Sequence, residues 1–164
     1  MRIYFCLGSN LGDRVKNLRD SVRELATLGR IIKSSAIYET PAWGGVIQPD
    51  YLNACILLES YSQQEPSEIL TRIKFFESKL GRLPSVRWGA RKIDIDILLI
   101  DDLIYNTPEL NIPHINLHNR LFVLVPLREI LPESWTHPLS NKTISELIDP
   151  LRNKDAWPLR ITEL

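Results

Sequence analysis

The sequence predicts an α+β fold of the ferredoxin-like kind, with a βαββαβ core, an added hairpin and C-terminal helices, layered α/β/α. Three observations predict it. Short β-branched and aromatic runs alternate with stretches of helical periodicity in the order β-α-β-β-α-β. Glycine, proline, asparagine or aspartate punctuates nearly every junction. The 164 residues are 44% hydrophobic and 24% charged, with no linker, repeat or low-complexity tract, which suits one domain over residues 1–164.

Taken in order, RIYFCLG reads as a strand ending at Gly8, and SNLGD as a turn. From Asp13 the apolar positions Val15, Leu18, Val22, Leu25 and Ala26 keep helical spacing until Gly29. RIIKSSAIYE, residues 30–39, is a second strand. TPAWGGVIQPD, residues 40–50, holds two prolines and a glycine pair and is a loop. YLNACILLE is a third strand. Pro66 suits the first turn of a helix whose apolar stripe is Ile69, Leu70, Ile73, Phe76 and Leu80, closed by Gly81. GRLPSVRWGAR is a second long loop, and KIDIDILLI, residues 92–100, the fourth core strand. A hairpin over LIYNTPELNI, a short helix near residues 119–130 and a last helix follow. Thr143 and Glu146 have capping-box spacing for that last one.

Composition narrows the function. Lysine plus arginine and aspartate plus glutamate stand at 20 each, and this balance argues against a nucleic-acid binder. Cys6 and Cys55 lie in apolar runs, too few for a disulfide framework and too far apart for a metal motif, and fit a reducing cytoplasm. No run approaches a membrane span of about 18 apolar residues. With no large apolar surface to assign to a partner, a monomer acting on small molecules is expected.

Chemistry concentrates in RWGARKIDIDILLID, residues 87–101. On a strand, Asp94 and Asp96 project to one face and Ile93, Ile95 and Ile97 to the other. Two carboxylates so placed repel each other unless cations intervene. Magnesium typically takes one or two carboxylates and completes its shell with phosphate oxygens and water. The alternative is that each aspartate pairs with Arg91, Lys92 or another base. Arg82, Arg87 and Arg91 precede the pair on a glycine-containing loop, with Trp88 among them, an arrangement suited to neutralising a polyphosphate. GSNLGDR lacks the GK[ST] of a Walker loop, so its role is architectural. In IPHINLHNRLF, the two histidines lack the glutamate of a zinc motif. His114 reads as a hydrogen-bond donor to phosphate and Arg120 as an anion clamp. Tyr51 and Asn53 alternate onto one strand face, where a ring and an amide can stack on a flat heterocycle and read its edge. Phe122 could close the sandwich.

Four blocks, LGSNLGDR, SSAIYETPAWG…QPDYLNA, RWGARKIDIDILL and IPHINLHNRLFVLVPL, give the chain a resemblance over nearly its whole length. It resembles the 6-hydroxymethyl-7,8-dihydropterin pyrophosphokinase family of folate biosynthesis. The resemblance implies transfer of diphosphate from ATP to the pterin hydroxymethyl group, with Asp94 and Asp96 holding two Mg²⁺ ions. It implies that Arg82 and Arg91 close on the triphosphate, and that Lys74, Arg87, His114 and Arg120 contact the nucleotide. It makes Tyr51 and Phe122 the pterin sandwich, Asn53 and the Thr40 backbone the readers of its edge, and Pro41, Trp43 and Trp88 its surround. Ala90 stands where proline is usual, Ile115 where tyrosine is often found and Glu109 where some members carry arginine. Two other classes compete: an RNA-recognition module, whose RNP1 pattern is missing, and a nucleotidyltransferase, which would release pyrophosphate instead of AMP.

Overall fold

The computed structural model describes residues 1–42, 47–83 and 89–164. β1 (Arg2–Ser9) leads through the SNLGD turn into α1 (Arg14–Leu25), capped by Asp13, which accepts from the Lys16 N–H at 3.0 Å. The strand expected over 30–39 is two, β2 (Gly29–Ser34) and β3 (Ala36–Thr40). Ser35 divides them: its hydroxyl accepts from the Cys55 N–H at 2.9 Å, substituting a side-chain oxygen for a backbone rung. β4 (Tyr51–Ser60) follows. α2 (Pro66–Lys79) starts with proline in its first turn and a Glu65–Glu68 capping box. β5 (Asp94–Ile100) begins two residues later than the apolar pattern suggests.

The hairpin is β6 (Tyr105–Asn106) with β7 (Asn111–Ile112). A 3₁₀ turn over Leu117–Asn119 precedes α3 (Leu121–Ile130), so the helix expected from 119 begins as a tighter turn. α4 (Ile144–Ile148) carries the expected Thr143–Glu146 box, and a second 3₁₀ turn follows over Asp149–Leu151. A final strand, β8 (Leu159–Glu163), lies in a segment whose sequence gave no strand signal.

Every pairing in the main sheet is antiparallel, in the order β5-β1-β4-β3-β8, with β2 continuing beside β4. The connection β1–α1–β2 skips over β4, and β4–α2–β5 skips over β1. That is the split βαβ arrangement of a ferredoxin-like fold. On one face Phe5, Leu7, Ile56, Leu58, Ile93 and Ile95 pack with Leu18, Ile69, Ile73 and Phe76 of α1 and α2. On the other, Tyr4, Cys6, Cys55, Leu57 and Leu98 pack with Leu121, Leu124 and Leu127 of α3 and Leu147 of α4. The alternation in β5 therefore sends its isoleucines toward α1 and α2 and its two aspartates toward α3. Among the described residues no helix is long and apolar enough to cross a membrane.

Candidate active site

The site lies where the start of α3 meets the sheet residues Gly8, Asn53 and Asp94. Strand register explains what gathers there. Gly8 on β1 pairs with Asn53 on one side and Asp94 on the other, and Cys6 pairs with Cys55 and Asp96. Thr40, at the end of β3, pairs with Tyr51. Residues from distant parts of the chain thus share one sheet face within two rungs. Gly8 keeps the floor open: a Cβ there would sit 3.2 Å from Asn53 Oδ1 and 3.6 Å from Tyr51 Cδ1.

Two cavities meet at the acid pair. The first, of 190 Å³, is bounded by Thr40, Pro41, Gln48, Tyr51, Asn53, Arg120 and Phe122, with Cys6 and Gly8 in its floor. The second, of 290 Å³, is bounded by Lys74, Glu77, Arg82, Glu109, Leu110, Asn111 and Ile115. Asp94, Asp96, Arg91 and His114 line both.

In the first cavity Asn53 is buried, and its Nδ2 donates to Thr40 Oγ1 at 2.9 Å. That bond fixes the amide plane, so Thr40 acts on the site through its side chain, where its backbone was expected. Tyr51 donates weakly to the Gly89 carbonyl at 3.4 Å. Burial, then the Asp94 charge, raises its phenol pKa. The Arg120 guanidinium carbon lies 5.5 Å from the centre of the Phe122 ring, within cation–π range. Arg120, expected on the nucleotide, thus lines the aromatic cavity.

The second cavity is held by charges. Arg82 Nη1 donates to Asp94 Oδ1 at 2.7 Å and also pairs with Glu77. Arg91 Nη1 donates to Asp94 Oδ2 at 2.8 Å. Both oxygens of Asp94 are therefore met by arginine, the alternative weighed from sequence. Glu77, buried on α2, accepts from the Ile95 N–H at 2.8 Å and ties the helix to the strand bearing the acids. Burial raises its pKa, against the opposing pull of Arg82 and that N–H.

Asp96 differs from its neighbour. Burial first, then the Asp94 charge, pushes its carboxyl up to about 7, although Arg120 and Arg91 oppose this. Burial and the Asp94 charge thus disfavour its ionised form. Two carboxylates are too few to enclose an ion alone, and among the described residues no cluster of three metal-ligating side chains occurs. A divalent ion that keeps water and phosphate oxygens in its shell fits this donor set. Burial, then the Arg120 charge, lowers the His114 pKa to about 4, so the ring is neutral. Its Nδ1 accepts from the Asn116 N–H at 3.2 Å, which leaves the proton on Nε2 as a donor. A register slip in β5 positions it: Tyr4 pairs with Leu99 and Phe5 with Ile97, and the bypassed Leu98 accepts the His114 N–H at 2.9 Å.

Of the residues singled out from sequence, Arg82, Arg91, Asp94, Asp96, Lys74, His114, Arg120, Thr40, Pro41, Tyr51, Asn53 and Phe122 all line one or both cavities. Trp43, Arg87 and Trp88 lie outside the described residues. Sequence reading missed Gly8, Gln48 and Asn116 as lining groups, because strand register and loop docking bring them in.

An aromatic, amide-bearing pocket and a charged one with three bases, sharing a carboxylate wall, have the parts that phosphoryl transfer to a flat heterocycle requires. The family model for 7,8-dihydro-6-hydroxymethylpterin-pyrophosphokinase (HPPK) matches residues 4–132, and the chain belongs to that family. A 2-amino-4-hydroxy-6-hydroxymethyldihydropteridine pyrophosphokinase of Synechocystis is 37% identical over 93% of this chain and 77% of its own. The enzyme of that name from Aquifex aeolicus is 39% identical over 88% of each. The HPPK-DHPS of Plasmodium falciparum superposes with a TM-score of 0.72 over 93% of this chain at 18% identity, this chain spanning 43% of it. That likeness is one of fold.

Proposed function

We propose that the aromatic cavity holds the pterin and the charged cavity the triphosphate of ATP, so that the acid pair stands where diphosphate passes between them. The reaction is the family's: diphosphate moves from ATP to the hydroxymethyl group of 6-hydroxymethyl-7,8-dihydropterin, a step of folate biosynthesis. One observation carries the residue assignment, namely that Asp94, Asp96, Arg91 and His114 line both cavities. The reacting hydroxyl and the β-phosphorus must meet at such a shared wall.

Tyr51 and Phe122 stack on the ring, while Asn53, oriented by Thr40, reads its edge. The pterin oxygen attacks in line and AMP leaves, with no covalent enzyme intermediate. Arg82 and Arg91 exchange Asp94 for phosphate oxygens and stabilise the charge spread over them. His114 donates from Nε2 to a phosphate. Asp94 and Asp96 would hold two Mg²⁺ ions, which lower the barrier by neutralising phosphate charge. Incubating the protein with ATP, Mg²⁺ and the dihydropterin should yield AMP with a diphosphorylated pterin; free pyrophosphate would instead mean nucleotidyl transfer. Chelator should abolish the product.

A further inference from the structure

Apart from Gly8, the described residues of the LGSNLGDR block line neither of these cavities, yet one of its side chains holds both loops that flank them. Asn10 is only 1% exposed. Its Nδ2 donates to Gln48 Oε1 and to the Pro49 carbonyl, each at 3.0 Å, at the end of the loop before β4. Its Oδ1 accepts from the Arg91 N–H at 2.7 Å, on the loop before β5. The Asn10 N–H also donates to the Arg91 carbonyl at 3.1 Å, so the Arg91 residue is gripped at both backbone groups. No other residue type offers a short planar acceptor and donor pair at this reach.

We propose that Asn10 is a positioning residue for the transfer. It sets where the Arg91 guanidinium is presented and couples that placement to the pterin-side loop bearing Gln48. The proposal rests on the assignment of Arg91 to the phosphates. Two contacts survive loss of the amide, namely the Asn10 N–H to the Arg91 carbonyl and Ser9 Oγ to the Lys92 carbonyl at 2.6 Å. An Asn10→Ala chain therefore keeps the loop attached at its backbone but frees the Arg91 peptide to tilt. A displacement of about 1 Å at such a group is enough to cost about 100-fold in rate.

Steady-state and single-turnover kinetics on Asn10→Ala, Arg91→Ala and the double variant test this. Asn10→Ala should lower kcat by about 10- to 100-fold and raise the pterin KM. In the Arg91→Ala background it should lower kcat by no more than about twofold, because the group through which it acts is gone. The pterin KM should still rise there, since the contacts to Gln48 and Pro49 do not pass through Arg91. Asn10→Asp keeps the acceptor for the Arg91 N–H and loses the donor. It should raise the pterin KM with kcat within about threefold of the parent, and it decides the matter should the alanine variant not fold. Equal kcat losses from Asn10→Ala with and without Arg91, or an Asn10→Asp variant impaired mainly in kcat, would overturn the proposal. Parent-like turnover in Arg91→Ala alone would instead overturn the reading of Arg91.

Discussion

The two cavities flanking the acid pair are built on opposite plans. The aromatic one is set before any ligand arrives: Asn53 is locked to Thr40, Tyr51 and Phe122 are anchored on β4 and α3, and Gly8 leaves the floor clear. The charged one has most of its charge already paired, with Arg82 and Arg91 bound to Asp94 and Arg82 to Glu77. On the proposed assignment, a flat heterocycle would meet polar groups already placed and cost little reorganisation, whereas a polyphosphate would have to displace ion pairs already made. Cations on the carboxylates, as proposed, would make that exchange possible by releasing the arginines for the phosphates. The difference separates recognition on one side from charge redistribution on the other, with the acid pair as hinge between them.

Removing the hinge has the largest expected effect. Asp96→Ala should reduce turnover by about 1,000-fold or more, measured as single-turnover AMP formation with both substrates saturating. If turnover stays near the parent's, the shared wall is not where transfer occurs. On the charged side alone, Arg91→Ala should slow the chemical step by about 100-fold while ATP binding weakens far less. Calorimetric titration of a non-hydrolysable ATP analogue beside rapid-quench rates separates the two quantities. On the rigid side, Phe122→Ala should weaken pterin binding by about tenfold and leave nucleotide affinity unchanged, the loss of one stacked ring being worth about 1 kcal/mol beyond area. Parallel fluorescence titrations of the two ligands would expose any cross-talk between the cavities.

Much of the frame was legible because its signals are local. Period-two alternation marked Asp94 and Asp96 on one face of β5, and the chain order of elements gave the split βαβ arrangement. What escaped depends on contacts between distant segments. Ser35 interrupts an apparently continuous strand through a hydroxyl meeting Cys55, twenty residues on. β8 is exposed along its whole length, so no burial pattern betrays it. Gly8 reads as a strand end until register places it between Asn53 and Asp94. Asn10 reads as a turn residue until two loops close on it. The parking of Arg82 and Arg91 on Asp94 is a matter of three-dimensional charge balance, and sequence could offer it only as one of two alternatives.

The smallest expected effect tests the imbalance between the two acids, and its sign is opposite to that of the activity loss. The Asp96 carboxyl is held at about 7 in the fold against an ordinary 3.8, by burial and then by Asp94. Between those values the folded protein keeps a proton that the unfolded chain has released, so folding takes up a proton. Without metal or ligand, stability should therefore fall as pH rises from about 4 to about 7, and that loss should be complete above this window. Asp96→Asn removes the ionisation while keeping the shape. At pH 8 in chelator it should melt higher than the parent by about 2–4 °C, equivalent to about 1 kcal/mol for a chain of this size. At pH 4, where both carry a neutral side chain, the two should melt together. Adding Mg²⁺ with an ATP analogue should reverse the order at pH 8, because only the aspartate gains from the cation. An Asn variant no more stable than the parent at pH 8 would mean that the arginines already neutralise both acids, and the contrast between an arginine-paired Asp94 and a desolvated Asp96 would be lost.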